Sequence, residues 1–305
     1  MIKKIKYFIF ILVILPTFGL AAETNHIWVA SSGGIQDAAC RKLWNNYDQT
    51  FGATSIIMPI RNGLDGTINM TDLLDSPKPR KFMCLGISQF LNSSLVHPRF
   101  QGKDNQFQMI IQTIDTSTVW YVPNSTKVKT YKELIAYWKS LNRPISIGVV
   151  FPANMTVARH IEKTYNIPVN IINFKTGVQQ FPALIDGTLD LGMDAGLGVS
   201  ISKSGKFQII GYHSANTFEI LKSYPNFSND DLTYKHISSW LGVVVPIDTN
   251  PEVKKTMAQR LQFIVRQPDF QEFATTIFGK AEGIIDPELS VSVKKQKEIL
   301  TKYQE

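Results

Sequence analysis

The residues best suited to chemistry near the start of this 305-residue chain are Ser31, Ser32, Gly33 and Gly34, with Asp37 close behind. The apolar run Ile27-Trp28-Val29 precedes them, and Ile35, Ala39, Leu43 and Tyr47 recur after them at helical spacing. A strand that turns into a helix through two serines and two glycines leaves backbone N–H groups bare at the helix start. The helix dipole there favours a carboxylate or phosphate. The same residues also suit a plain strand-to-helix turn, and they match neither G-x-G-x-x-G nor a P-loop. With Gly34 as N-cap, Asp37 falls at the third helical position, where its carboxylate can reach back to a free N–H.

Other constellations fall away. Ser200-Ile201-Ser202-Lys203, Ser214-Ala215-Asn216 and Lys175-Thr176-Gly177 match the S-x-x-K, S-x-N and K-T-G elements of serine penicillin-binding enzymes. Their order is wrong, with K-T-G first, and no G-x-S-x-G elbow supplies another nucleophile. His26, His97, His160, His213 and His236 are dispersed without metal-ligand spacing, so neither a metal nor any other cofactor is expected. The formal charge of +7 comes from scattered lysines and arginines, three of them in the first six residues. No basic run is interleaved with aromatics, which argues against a nucleic-acid partner. Cys40 and Cys84 are the only cysteines. They suit either a disulfide or two buried thiols, since a sequence does not give the Cα separation.

The opening MIKKIK and the apolar YFIFILVILPTFGL, with small residues at 19–22, read as a signal peptide over residues 1–22. No later apolar run approaches the roughly 20 residues of a membrane span, so the remainder is expected to be exported and soluble. Its length favours two domains.

The elements that must carry these residues alternate. Strand-like HIWVA, SIIMPI, FMCLGI, ISIGVV, VNIINF and LDLGMD are separated by helical stretches at 36–51, from Thr67, at 130–141, from about Thr156, and at 178–185. FQMIIQTI, TVWYVP, FQIIGY and WLGVVVP add further strands, and 251–278 and 288–303 are helical in pattern. The reading is an α/β protein with mainly parallel sheets, whose strand-end loops are where such sheets bind ligands.

SGGIQDAACRKL resembles the P-G-G-x-x-D-x-x-A-R-x-L stretch of the tripartite tricarboxylate transporter receptors, also called Bug proteins. GTIN, NFKTGVQQFPALIDGTLDLGMD, SSWLGVVVPIDTNPEVKKTMAQRL and QPDFQEFATTIFGKAEG are similar, in order, to the family's later motifs. The resemblance implies an α/β, two-domain periplasmic-binding-protein-like fold of type II, with the ligand cleft between the domains. The expected division is 23–120 with 237–305 as domain 1, and 121–236 as domain 2. It also implies a periplasmic, monomeric solute receptor, not an enzyme, that closes on a small organic carboxylate and delivers it to membrane permease subunits.

Carried over by position, the implied ligand-binding residues are Ser32, Gly33, Gly34 and Asp37, with Gly66 and Ser88 from neighbouring loops. The second domain is expected to add Thr156, Lys175 and Asp194. Plainer roles are open to the last three: an N-cap, a solvated lysine and a helix cap. The chain also departs from the family. Ser32 stands where the family has Pro, Asn69 replaces a glycine, and the second-domain loop reads Val149-Val150-Phe151-Pro152-Ala153-Asn154-Met155-Thr156 where Gly and Ser are usual. That bulkier loop suits a carboxylate with an apolar body. Alternatives are a ligand sensor for a signalling partner and an exported hydrolase.

Overall fold

The computed structural model describes residues 23–32, 34–61, 66–96, 99–100, 106–237 and 239–304. The expected signal peptide therefore lies outside the described residues. The chain order is β1 (Thr24–Val29), α1 (Ile35–Phe51), β2 (Thr54–Ile57), α2 (Thr67–Asp75), β3 (Lys81–Gly86), α3 (Ile87–Val96) and β4 (Phe107–Thr116). Then come β5 (Thr118–Pro123), α4 (Tyr131–Ser140), β6 (Ile145–Val149), α5 (Pro152–Tyr165), β7 (Val169–Asn173), α6 (Phe181–Ile185), β8 (Gly192–Asp194), α7 (Gly198–Ser202) and β9 (Phe207–His213). The chain ends with β10 (Ser239–Pro246), α8 (Pro251–Val265), α9 (Pro268–Thr276), β11 (Gly279–Ile284) and α10 (Glu288–Gln304).

One sheet runs β11-β4-β10-β3-β1-β2. Its strands alternate faces, as a pleat requires. Ile27, Val29, Phe82, Cys84, Val243 and Val245 pack under α1, α8 and α9 with Leu43, Trp44, Leu261 and Phe270. Trp28, Met83, Leu85 and Val244 face the other way, against Met70, Leu91, Leu289 and Leu300. Each of these fully buried aliphatic side chains contributes about 1.5–3 kcal/mol. Cys40 of α1 and Cys84 of β3 are joined by a disulfide with a Cα–Cα distance of 5.9 Å.

The remaining strands form β8-β5-β9 and β6-β7, tied by a parallel bridge between Ile147 and Leu191. Trp120 and Val122 pack with α4 and α5, whereas Val119 and Tyr121 face Phe181, Leu184 and Phe207.

The expected predominance of parallel pairs is corrected. Among the described strands, parallel ladders join only β1–β2, β1–β3 and β6–β7, besides isolated parallel bridges, while β10 lies antiparallel to β3 and β4, β11 to β4, and β5 to β8 and β9. The reason is where the chain crosses. β4 ends at Thr116 in the first sheet and β5 starts at Thr118 in the second, with only Ser117 between them. A strand arriving from the other sheet starts at the edge where its parallel neighbours end, so β5 and β10 must run backwards. Those pairings put the carboxyl ends of β1, β3 and β4 along the edge where β10 begins, and the carboxyl ends of β6, β8 and β9 along the edge where β5 begins. The two edges meet at the crossings.

Candidate functional site

At the first edge, the segments after β1 and β2 and the junction of β3 with α3 are stitched by side chains. Ser31 Oγ donates to Gln36 Oε1 at 2.9 Å, and Gln36 Nε2 donates to Gln89 Oε1 at 2.8 Å. That same oxygen accepts from the Gly86 backbone N–H at 3.0 Å. Asn69, fully buried, donates to the carbonyls of Ala30 (3.2 Å) and Arg61 (2.8 Å) and accepts from Arg61 N–H at 3.0 Å. A glycine at this position, as the resembling family has, would leave these groups without that partner. Gln36 and Gln89 are not among the residues singled out from the sequence. A signal existed for Gln36: it is a polar residue in the buried stripe it shares with Ala39, Cys40 and Leu43.

Two glycines of the edge, Gly66 and Gly34, are present for different reasons. Gly66 has φ 84°, and a Cβ there would stand 2.7 Å from Ala30 Cβ, so both conformation and close approach require glycine. Gly34, the N-cap of α1, is extended (φ −131°, ψ −172°), and a Cβ would meet nothing within 4 Å among the described residues. Neither its backbone geometry nor packing against the described residues explains that glycine, which is half-buried at the start of a 17-residue helix. Ser32 is half-buried beside it, and Ser88 lies buried in the first turn of α3. Asp37 Oδ1 accepts from Arg41 Nε at 2.7 Å, one helical turn on. Gly33 lies outside the described residues.

At the second edge the start of α5 is corrected. The helix begins at Pro152 rather than near Thr156, with Phe151 as N-cap and Asn154 Oδ1 accepting from the N–H groups of Val150 (3.2 Å) and Phe151 (3.1 Å). Thr156 therefore sits in the second turn, buried, its hydroxyl donating to Pro152 O at 3.2 Å. Lys175 is exposed at the end of β7, and its backbone N–H donates to Gln179 Oε1 at 3.0 Å. Val150, Phe151, Met155 and Phe174 are half-buried along this edge.

Asp194 is only 2% exposed. Its Oδ1 accepts from Tyr121 Oη at 2.9 Å and Gly196 N–H at 2.6 Å, and its Oδ2 accepts from Gly198 N–H at 3.3 Å. Gly177 approaches so closely that a Cβ would lie 2.9 Å from Asp194 Cβ. Burial pushes this carboxyl up to about 6, against the hydrogen bonds that favour its ionised form. Asp194 thus pins the loop after β8 to β5 and to the K-T-G loop.

Between the edges, Asn216 Nδ2, beyond β9, donates to Asp115 Oδ2 near the end of β4, and Thr116 Oγ1 donates to Ser239 O at 2.7 Å. Burial lifts the Asp115 carboxyl to about 7. The helix α5 touches both α3 and α10, so helices covering different sheets meet. Among the described residues no group of three His, Cys, Asp or Glu side chains is placed to hold a metal ion, and no helix is long and apolar enough to cross a membrane.

The first edge carries polar loops and helix starts, and the second a more apolar loop. No functionally curated protein matches the sequence. Solved structures with similar folds include an R. palustris protein with adipate (16% identity, TM-score 0.78, 92% of this chain and 96% of that one). They also include the periplasmic binding protein BugD (19%, 0.75, 92% and 98%) and MatC from Rhodopseudomonas palustris with bound malate (14%, 0.73, 92% and 98%). These likenesses establish the two-domain periplasmic-binding-protein fold. The model of the tripartite tricarboxylate transporter family receptor matches residues 40–280, and the chain belongs to that family of solute receptors, not enzymes.

Proposed function

We propose that this chain is an exported receptor that captures a small organic carboxylate between two domains and hands it to the permease subunits of a tripartite transporter. The domains are residues 23–120 with 237–305, and 121–236, with the signal peptide over 1–22 and a monomeric, periplasmic mature chain. The observation that carries the reading is Gly34: a glycine that neither its φ nor its described neighbours require, at the start of α1. A carboxylate seated there accepts from first-turn N–H groups in a favourable dipole. Ser32, Gly66 and Ser88 complete the first wall. Lys175 is the cation within reach of a second acidic group, and Thr156 and Asp194 shape the opposite wall from behind. The Cys40–Cys84 disulfide suits an oxidising compartment.

Val150, Phe151 and Phe174 favour a ligand with an apolar body over citrate. Because both walls touch the ligand only when closed, binding shifts the open–closed population. A thermal-shift panel of di-, tri- and monocarboxylates on protein freed of carried-over ligand by refolding tests the reading. A ligand at about 100 times its Kd adds about 2.7 kcal/mol. The expected hits are carboxylates with an aliphatic or aromatic body; a panel that responds only to neutral compounds contradicts it.

Gly34→Ala separates ligand geometry from fold. The variant is expected to unfold within about 0.5 kcal/mol of the parent or slightly later, since alanine fits an extended residue in open space. Its affinity for the ligand should nevertheless fall at least about tenfold, read by calorimetry. Unchanged affinity would move the anion site away from the start of α1.

A further inference from the structure

The hydrogen bonds joining Ser31, Gln36 and Gln89 at the first edge run in one direction. Gly86, at the junction of β3 and α3, donates its backbone N–H to Gln89 Oε1 at 3.0 Å. A backbone N–H can only donate, so this bond settles which end of the Gln89 amide is oxygen. Gln36 then turns its Nε2 to the same oxygen, at 2.8 Å, and its own Oε1 takes the hydroxyl hydrogen of Ser31 at 2.9 Å. Gln89 Oε1 is fully engaged, and the chain ends on the hydrogens of Gln89 Nε2. Gln89 is only 4% exposed, yet among the described residues nothing accepts from that nitrogen. It is not one of the buried polar atoms that lack a partner, so it keeps some contact with solvent. A glutamine in the first turn whose oxygen bonds back to the residue before the helix lies over the helix start. Nε2 therefore stands between the starts of α1 and α3, a donor whose acceptor comes from outside the chain.

We propose, on the reading that a carboxylate sits at the start of α1, that Gln89 Nε2 donates to an uncharged oxygen on the carbon next to that carboxylate, which makes the ligand an α-oxo acid. Gln36 is the second residue of α1, so one glutamine side chain and one hydrogen bond separate the first-turn N–H groups from the Gln89 amide. An oxygen one carbon from the carboxylate spans that short gap. A ketone oxygen only accepts, which suits a chain that ends in a donor. An α-hydroxyl accepts too, but brings a hydrogen that Nε2 does not take. An α-ammonium only donates and meets the Gln89 N–H groups head-on. Gln89 thus sets specificity among carboxylates of one shape: α-oxo first, α-hydroxy next, unsubstituted after that, and α-amino last.

Calorimetric titration of the refolded protein with α-ketoisocaproate, α-hydroxyisocaproate, isocaproate and leucine is the test, repeated in the aromatic series of phenylpyruvate, phenyllactate, phenylpropanoate and phenylalanine. In the series whose body fits, the oxo acid is expected to bind at least about fivefold tighter than the unsubstituted acid, as for one added hydrogen bond, and the amino acid not measurably. Gln89→Glu keeps acceptors for Gly86 N–H and Gln36 Nε2 but removes the donor, and Gln89→Met removes the donor without adding charge. In each correctly folded variant the two affinities should come within about twofold of each other, a change of ratio that loosened packing alone does not produce. Gly34→Ala should weaken both acids and leave their ratio intact. Equal binding of oxo and unsubstituted acids by the parent, or a ratio unchanged in the folded Gln89 variants, would overturn the role of Gln89 and leave the carboxylate seat standing. No response to any carboxylate, in these series or in the wider panel, would remove the seat and the proposal with it.

Discussion

Replacing both disulfide cysteines, as Cys40→Ala with Cys84→Ala, is expected to lower the unfolding free energy by about 4 kcal/mol. The bond closes a loop with a sequence separation of 44, and the loop-entropy relation for that length gives about this figure. For a chain of this size the melting temperature should fall by about 10 °C. The consequence extends to the proposed site, because the bond fixes α1 to β3, and the starts of α1 and α3 belong to its proposed first wall. Urea unfolding of the double variant against the oxidised parent checks the stability. A difference below about 1 kcal/mol would mean that packing of α1 by Trp44, Leu43 and Tyr47 already holds it in place.

Acid should weaken the fold through His213. This side chain is 1% exposed at the end of β9, its Nδ1 accepts from Trp120 Nε1 at 2.8 Å, and its ring stacks on Tyr234. Burial holds its pKa down at about 3, against 6.5 unfolded. A base with a depressed folded pKa contributes fully above the unfolded value and loses that contribution as pH falls toward the folded one. The window is therefore pH 6.5 down to 3, and the full loss is about 5 kcal/mol. Asp115 and Asp194, raised to about 7 and about 6, act in the opposite sense: their burial penalty is relieved as pH falls from about 7 to 4. The contribution of His213 is isolated by comparing His213→Gln with the parent in urea at pH 7.5 and at pH 4.5. The variant should be less stable at pH 7.5 and gain on the parent by about 2–3 kcal/mol at pH 4.5. A stability difference independent of pH would show that His213 keeps an ordinary pKa.

Much of the architecture was legible because the strongly periodic stretches did form the expected elements. Gln36 to Phe51, Tyr131 to Ser140 and Lys81 to Gly86 are cases where a buried stripe or strand run is unbroken. What was missed has local causes. The strand β11 buries Gly279, Ala281 and Gly283, so its alternation carries no large apolar signal. The helix α3 follows β3 without a loop, and the apolar run masks the change of period. Pro268 divides the expected helix over 251–278 into α8 and α9. Strand direction was illegible from local pattern, since β5 and β10 are reversed by where the chain crosses.

The site was legible in the same uneven way. Gly34 and Gly66 were visible as glycines, but only the structure separates a glycine needed by its neighbours from one that is not. Thr156 was misplaced because Pro152 and Asn154, which start and cap α5, were passed over for the hydroxyl. Asp194 looked like a ligand residue, yet Tyr121, Gly196 and Gly198 already engage its carboxylate. The bonds of Gln36, Gln89 and Asn69 join residues far apart in the chain, which no local reading brings together.

The central claim is that an anion is held by backbone donors at the start of α1. The most direct measurement is a calorimetric titration of refolded protein with the best carboxylate from the panel and with its primary amide, matched in shape. The account predicts that the amide binds at least about tenfold more weakly, the smallest loss expected when charge-assisted hydrogen bonds worth about 1.5–3 kcal/mol are removed. Equal affinity for acid and amide would contradict it.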